Sequence, residues 1–403
     1  MSESKLRPSI FCISTYEKGQ DFLREAARRG CEVRLLTVDE LRDADWPREA
    51  LTELLTMPSG LTRDQLLNTV TYLARTRRID RIVALDEFDL ASAALLREHM
   101  RLPGMGETGT RFFRDKLAMR EQARRNRIRV PDFTGVFHHD EVASFLRGTK
   151  GPWLLKPRMN ASAIGIKRIE HAEEIWPELE TLGDLQSHYL LECFVTGEVF
   201  HSEGITWAGN LLFAAPFQYG KPPIETMHQG GVFTTRSLAL DSGDAREIVA
   251  MQTKLLRALG LESGASHSEF IKSAADGEFY FLETAARVGG AYIADACEFA
   301  TGVNPWKEWA AIEAALASGT EYVLPAVARA FVGSVISLAK QKEPDLGAYQ
   351  DEEIVMRLHK PHHAGLILRS TSEERLSKLL MSYAQRFGDD FCAVLPAPEK
   401  PTS

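Results

Sequence analysis

The sequence predicts an α/β protein in which an N-terminal parallel sheet is followed by smaller sheets built from hairpins. Two observations point to this. The first hundred residues alternate strand-like and helix-like segments, the pattern of a parallel sheet covered by helices. From about residue 150 the chain instead reads as strand, short loop, strand, ending in the segment His267 to Gly290, a hairpin that carries two glutamates.

In order, Ile10 to Ser14 is the expected first strand, Gly19 to Arg29 a helix, Glu32 to Thr37 a strand, Arg63 to Arg77 a helix, Arg81 to Leu85 a strand and Phe88 to His99 a helix. Open sheets of this kind place ligands at the carboxyl ends of their strands, where Ser14-Thr15-Tyr16 and Asp86-Glu87 fall. No GxGxxG follows the first strand, so a dinucleotide-binding domain has little support. Leu102-Pro103-Gly104 breaks the pattern and marks a first boundary. A basic helix, RFFRDKLAMREQARRN, then ends before Val130-Pro131. Trp153 to Lys156 is a short apolar strand closed by Pro157, and the loop MNASAIG leads to a strand at Gly165 to Ile169. Tyr189 to Phe194 is a strand, and Glu198 to Thr206 pairs with Leu211 to Ala215 across Trp207-Ala208-Gly209-Asn210. Val323 to Leu395 reads as a small mixed α/β cap. The expected units are 1–104, 105–190, 191–322 and 323–403. In the helix Pro305 to Ala317, Trp306 and Trp309 read as core rather than interface.

Ser268 to Ser273 and Glu278 to Ala285 are rich in aromatic and β-branched residues, and Ala275-Asp276-Gly277 is turn chemistry. A three-residue loop sets Glu269 opposite Glu283 and Ile271 opposite Phe281, whereas a two-residue loop shifts the partner by one and flips the face. In the first register the β-carbons of the two acids lie roughly 5 Å apart, where like charges destabilise the pair unless a cation sits between them. Oxygen-only ligation suits a hard divalent ion such as Mg2+ or Mn2+, and Arg287 adds a positive fork nearby. The bland alternative is a solvated hairpin edge bearing two surface acids.

The 403 residues are 44% hydrophobic and 26% charged, which places the chain among globular proteins with room for two or three domains. A net charge of −8 argues against a nucleic-acid backbone or an anionic membrane as the main partner. The five cysteines are scattered with no CxxC or Cys/His spacing for zinc. The scattered cysteines make a reduced cytoplasm the expected setting, and neither a signal peptide nor the run of about eighteen apolar residues that a membrane helix needs is readable.

The order of these pieces resembles a known family. An α/β domain, a DKLAMR helix, the strand WLLKP with its Ser/Gly loop, the strand and hinge LLECFVTGEVF, and the EF…FLETAAR hairpin together resemble the ATP-grasp ligases. The likeness is greatest to the branch of biotin carboxylase, carbamoyl phosphate synthetase and the carboxylate-amine ligases, over roughly residues 5 to 395. The resemblance implies that Lys116 and Lys156 hold ATP phosphates, that the Ser162 to Gly165 loop folds over them, and that Glu192, Cys193 and Val195 form a hinge whose backbone meets adenine. It implies Glu198 at the ribose, Glu269 and Glu283 on Mg2+ or Mn2+, and Arg287 at the transferred phosphate. Compact lysine charges and a fixed arginine fork suit phosphoryl transfer, which depends on positioning and charge neutralisation. The loop has a single glycine, fewer than many members carry, and Ala285 stands where many members place asparagine as a further metal ligand.

The implied reaction is ATP-dependent activation of a small carboxylate, an amino acid for preference, as an acyl phosphate, followed by capture with an amine and release of ADP and phosphate. The Gly/Pro-rich segment Gly220 to Arg236 is expected to line the acceptor pocket. There His228 would orient or deprotonate the nucleophile and Arg236 would bind a carboxylate; an exposed connecting loop is the competing reading. His362-His363 reads as surface. A bicarbonate-activating carboxylase-type ligase and a non-catalytic ATP-binding regulatory protein remain as alternatives, Ala285 favouring the latter. Dimers are frequent among members of the family.

Overall fold

The computed structural model describes residues 7–160, 164–223 and 231–393. Its N-terminal unit is a four-stranded parallel sheet in the order β3-β2-β1-β4, formed by β1 (Ser9–Ile13), β2 (Glu32–Val38), β3 (Glu53–Met57) and β4 (Arg81–Ala84). Helices α1 (Gln20–Arg28), α2 (Arg63–Ala74) and α3 (Leu90–Met100) cover it. The sequence reading did not include β3: its face is only half-buried apart from Met57, which blurs the apolar run that marks a parallel strand.

The basic segment is not one helix. Helix α4 (Glu107–Arg111) stops, and α5 (Lys116–Arg125) starts afresh with Asp115 as its N-cap, accepting from the amides of Leu117 and Ala118. An aspartate that bonds the first free amides makes a better helix start than a helix interior. Lys116 therefore opens a helix, as its first residue.

A small antiparallel sheet follows in the order β5-β8-β6-β7, from β5 (Phe133–Gly135), β6 (Trp153–Pro157), β7 (Lys167–Ile169) and β8 (Tyr189–Cys193), backed by α6 (His139–Gly148) and α7 (Ile175–Leu182). The second, eight-stranded sheet runs β13-β12-β9-β10-β11-β14-β16-β15. Its members are β9 (Gly197–Trp207), β10 (Asn210–Tyr219), β11 (Phe233–Ser237), β12 (Gly264–Ser273), β13 (Phe279–Ala285), β14 (Phe331–Leu338), β15 (Ile354–Arg357) and β16 (His363–Ser370). The segment expected as a separate cap thus adds β14, β15 and β16 to the sheet that carries the glutamate hairpin. The β9–β10 hairpin turns at Ala208 and Gly209, both at positive φ (49° and 74°), as a tight two-residue turn requires.

Helix α8 (Gly243–Leu259) covers one face of this sheet, burying Ile248, Leu255 and Leu256 with Phe200, Phe270 and Phe279. Helices α9 (Ile293–Thr301) and α10 (Pro305–Ser318) lie at the junction with the N-terminal unit. Trp309 is buried edge-on against Phe22 of α1, with ring centroids 5.3 Å apart, so it is core as expected. Helix α11 (Glu373–Asp390) packs on β14 and β16 through Leu376, Leu380 and Tyr383. Among the described residues no helix is long and apolar enough to cross a membrane.

Candidate functional site

The hairpin sets Glu269 opposite Glu283, as the sequence reading expected, but by a route that reading did not foresee. Next to the turn the pairs are Lys272 with Phe279, Ile271 with Tyr280 and Phe270 with Phe281, one residue out from the expected register. A bulge between Glu269 and Phe270 on one side and Phe281 and Glu283 on the other absorbs Leu282 and restores Glu269 to Glu283, Ser268 to Thr284 and His267 to Ala285. The expected Ile271–Phe281 pair is therefore corrected to Ile271–Tyr280. A bulge inserts one extra residue and so moves every later side chain back by one.

A cation stands beside one of the acids, Glu283. Lys116 Nζ lies 2.8 Å from Glu283 Oε2 and donates to the Asn160 carbonyl at 2.6 Å. Lys156, on β6, is ion-paired to Glu192 on β8, and Glu192 also receives Arg120 at 2.9 Å. Burial alone would push the Glu192 carboxyl up, but the Arg120 and Lys156 charges outweigh it and hold it low. In the 192–195 segment the Cys193 amide donates to the Asp132 carbonyl at 2.8 Å and the Phe194 amide to the Pro152 carbonyl at 2.9 Å. The Val195 amide has no backbone partner among the described residues. Beside it Val199, Tyr219 and Ile271, with Val195, Phe233, Tyr280 and Leu282 against them, make an apolar floor on the face that carries Glu269.

Beneath Glu269 lies a network absent from the sequence reading. The tripeptide His-Ser-Glu occurs twice, at 201–203 on β9 and 267–269 on β12, and the two copies pair antiparallel, His267 with Glu203 and Glu269 with His201. Alternation along a strand places all four outer residues on one face. Glu203 Oε1 lies 2.6 Å from His267 Nδ1 and 3.1 Å from His201 Nδ1, while the amide of Gly289 donates to Oε2 at 3.3 Å. His201 Nε2 lies 2.8 Å from Thr235 Oγ1, and His267 Nε2 lies 3.5 Å from Glu269 Oε1, which also accepts from Tyr219 Oη at 2.8 Å. His201, Glu203 and His267 offer donor atoms within 4.8 Å of one another, a spacing one cation could bridge. Their hydrogen bonds already satisfy them. Burial would lower His267, but the flanking Glu203 and Glu269 carry it up to about 10; burial would raise Glu203, but the two imidazoles bring it down to about 2. Glu269, raised by burial, is likewise held low by His267 and Tyr219. The repeated His-Ser-Glu was the legible signal for this network; its pairing was not.

Arg287 meets Glu87 at the carboxyl end of β4, with Nε 3.1 Å from Oε2. Arg114 Nη1 takes the other oxygen at 2.5 Å and its Nη2 donates to the Met159 carbonyl at 2.7 Å. Glu87 is buried, yet the Arg287 and Arg114 charges bring it down to about 2. Glu87 thus lies just beyond the carboxyl end of β4, and its pairing with Arg287 was not foreseen.

Two expected residues lie elsewhere. Glu198 is exposed and accepts from Gln218 Nε2 at 2.9 Å. Strand alternation sets it on the opposite face of β9 from His201 and Glu203, and therefore from Glu269, so the ribose role is not supported by its position. Arg236 is on that opposite face too, bonded to Glu373 at 2.6 Å and Gln218 at 2.6 Å rather than turned toward the site. Ser162 and His228 lie outside the described residues.

No family model matches the chain. It is 25% identical over 236 residues to the L-arginine-specific L-amino acid ligase of Bacillus subtilis, covering 57% of this chain and 56% of that protein. It is 26% identical over 254 residues to the alanine–anticapsin ligase of the same organism, covering 56% and 52%. The chain is thus matched over about half the length of these relatives. Solved structures align over nearly all of it. The L-amino acid ligase of Bacillus licheniformis superposes with a TM-score of 0.74 at 19% identity, covering 97% of this chain and 100% of that one. The biotin carboxylase domain of the Hydrogenobacter thermophilus 2-oxoglutarate carboxylase, a dimer described with MgADP and bicarbonate, gives 0.70 at 15% identity over 95% and 90%. With an N-terminal parallel sheet, a small antiparallel sheet bearing Lys156 and a large sheet bearing the paired glutamates, this chain has the fold of the ATP-grasp superfamily.

Proposed function

We propose that the chain is an ATP-dependent ligase that activates a small carboxylate, an amino acid, as an acyl phosphate and couples it to an amine. The observation that carries this reading is the opposition of Glu269 and Glu283 on one sheet face, with Lys116 against Glu283 and the 192–195 segment and apolar floor alongside. Similarity to two amino-acid ligases supports it.

The donor set fits a hard divalent ion: two carboxylates share one face, with oxygen atoms only and an ammonium holding the negative charge. Glu269 and Glu283 would hold Mg2+ or Mn2+, which when bound neutralises charge on the phosphate oxygens. Ala285 contributes no side-chain oxygen. The adenine would lie on Val199, Ile271 and Leu282, its edge meeting the Val195 amide and neighbouring carbonyls of the 192–195 hinge. Lys116 and Lys156 would exchange their carboxylate partners for phosphate oxygens, and Arg287 would face the group in transfer.

In the first step a substrate carboxylate oxygen bonds to the γ-phosphorus as the bond from γ-phosphorus to the β-bridging oxygen breaks, releasing ADP. In the second the amine nitrogen bonds to the acyl carbon, phosphate leaves with the electron pair of the broken carbon–oxygen bond, and the amine gives up its proton. No enzyme nucleophile is required. Ser162 and His228 remain part of this reading as loop hydroxyl and acceptor-side base.

The test is ADP release from ATP with Mg2+ across a panel of amino acids, other small carboxylates and bicarbonate, with AMP followed in the same samples. ADP stimulated by one acid plus one amine, and lost in Glu283→Gln, is the expected result. AMP with pyrophosphate, or full activity in Glu283→Gln, refutes it.

A further inference from the structure

Among the described residues Arg120 is the bulkiest fully buried side chain, 1% exposed. A guanidinium has five N–H donors and no acceptor, so burying it is tolerated only where partners surround it. Arg120 Nε donates to Glu192 Oε2 at 3.0 Å, Nη1 donates to the carbonyl of Leu282, and the group stands 5.6 Å from the Phe281 ring centre. One side chain from α5 thus touches the hinge and the glutamate hairpin together.

Leu282 is the residue absorbed by the bulge. A bulged residue falls out of the strand ladder, and its carbonyl needs another donor. Strand β13 is at the edge of its sheet, so no further strand can supply one. Arg120 does so from the outer side, and the Phe281 amide donates there to the Arg129 carbonyl at 2.9 Å. Loss of the bulge would slip β13 by one residue and turn Glu283 away from the face that carries Glu269.

We infer that Arg120 is a positioning residue: it clamps the Leu282 bulge, keeps Glu283 opposite Glu269, and ties that register to the hinge through Glu192. Its consequence for metal binding rests on the reading of Glu269 and Glu283 given above; the register itself does not.

The test uses the full chain as wild type, Arg120→Lys and Arg120→Met. Lysine keeps a positive charge beside Glu192, but one ammonium cannot span both Glu192 and the Leu282 carbonyl. Hydrogen exchange at the amides of residues 281–285 should quicken by about tenfold or more in both variants, with β9 and β10 unchanged. The Mn2+ concentration that half-saturates the ADP-loaded protein, read by electron paramagnetic resonance, should rise about tenfold or more, with ADP affinity in the absence of metal unchanged. Wild-type exchange at 281–285 in both variants overturns the inference. So does a loss of ADP and Mn2+ affinity in equal proportion, which would make Arg120 a general packing residue. Should Arg120→Met not fold, Arg120→Lys decides. Should the wild type take up no Mn2+ with ADP, the ligase reading falls, and hydrogen exchange still decides the clamp.

Discussion

Substituting Glu203 by glutamine keeps the shape of the side chain at the centre of the His-Ser-Glu pair and removes its charge. Glu203 has no exposed surface and bonds His267 at 2.6 Å, His201 at 3.1 Å and the Gly289 amide at 3.3 Å. Its carboxyl is carried from 4.5 down to about 2, which corresponds to about 3 kcal/mol of folding free energy. Breaking a buried ion pair from one side costs about 3–5 kcal/mol, because the partner is left charged and unmatched. The expected loss for Glu203→Gln is therefore about 3 kcal/mol, measured by urea unfolding. The sign against pH follows from the two partners. Glu203, lowered, stabilises fully above 4.5 and loses its contribution as pH falls through about 2. His267, raised, stabilises fully below 6.5 and loses its contribution as pH rises through about 10. The gap between wild type and variant should be widest between pH 4.5 and 6.5 and narrow toward both extremes. A loss under about 1 kcal/mol, the range of an exposed pair, or a gap that does not change with pH would refute the reasoning.

Three further outcomes are expected. A Cβ added at Gly289 would lie 2.9 Å from His267 Nδ1 and 3.1 Å from Glu203 Oε2, so Gly289→Ala should cost about 1–3 kcal/mol in urea unfolding by overpacking the network. Lys156→Met leaves Glu192 held by Arg120, so the protein should fold while kcat/KM for ATP falls by about a hundredfold or more in a coupled ADP assay. Cys193 is half-buried, and burial raises its thiol above 9.0; at neutral pH it should react with iodoacetamide no faster than a free thiol, and Cys193→Ala should retain activity.

Much of the fold is written in local patterns. Alternating strand and helix segments identify the parallel N-terminal sheet, turn residues identify the β9–β10 and β12–β13 hairpins, and an apolar strand closing in Lys-Pro identifies β6. The glutamate hairpin was legible from its turn residues, but the register at the turn is one residue out, and it is the bulge at Leu282 that sets Glu269 opposite Glu283. Where the local signal was weak the reading failed: β3 is half-exposed, and the break before α5 depends on one aspartate cap. The face of Glu198 was missed because which of two neighbouring residues points into a site depends on a register that the opposite strand decides.

What the sequence by itself determined is the set of chemical groups and their local frames: two lysines, two acids on one hairpin, an arginine beyond them and the segment 192–195 between two sheets. Tertiary structure alone decided which charges meet. Glu87 reaches Arg287 across 200 positions of chain, and Arg120 reaches the Leu282 carbonyl across 162. The two His-Ser-Glu copies become one network only when β9 pairs with β12. Spacing along a strand or helix is set by backbone geometry that every short segment carries within itself. The partner of a buried charge is chosen by the packing of distant elements, because only the folded core excludes the water that would otherwise solvate it.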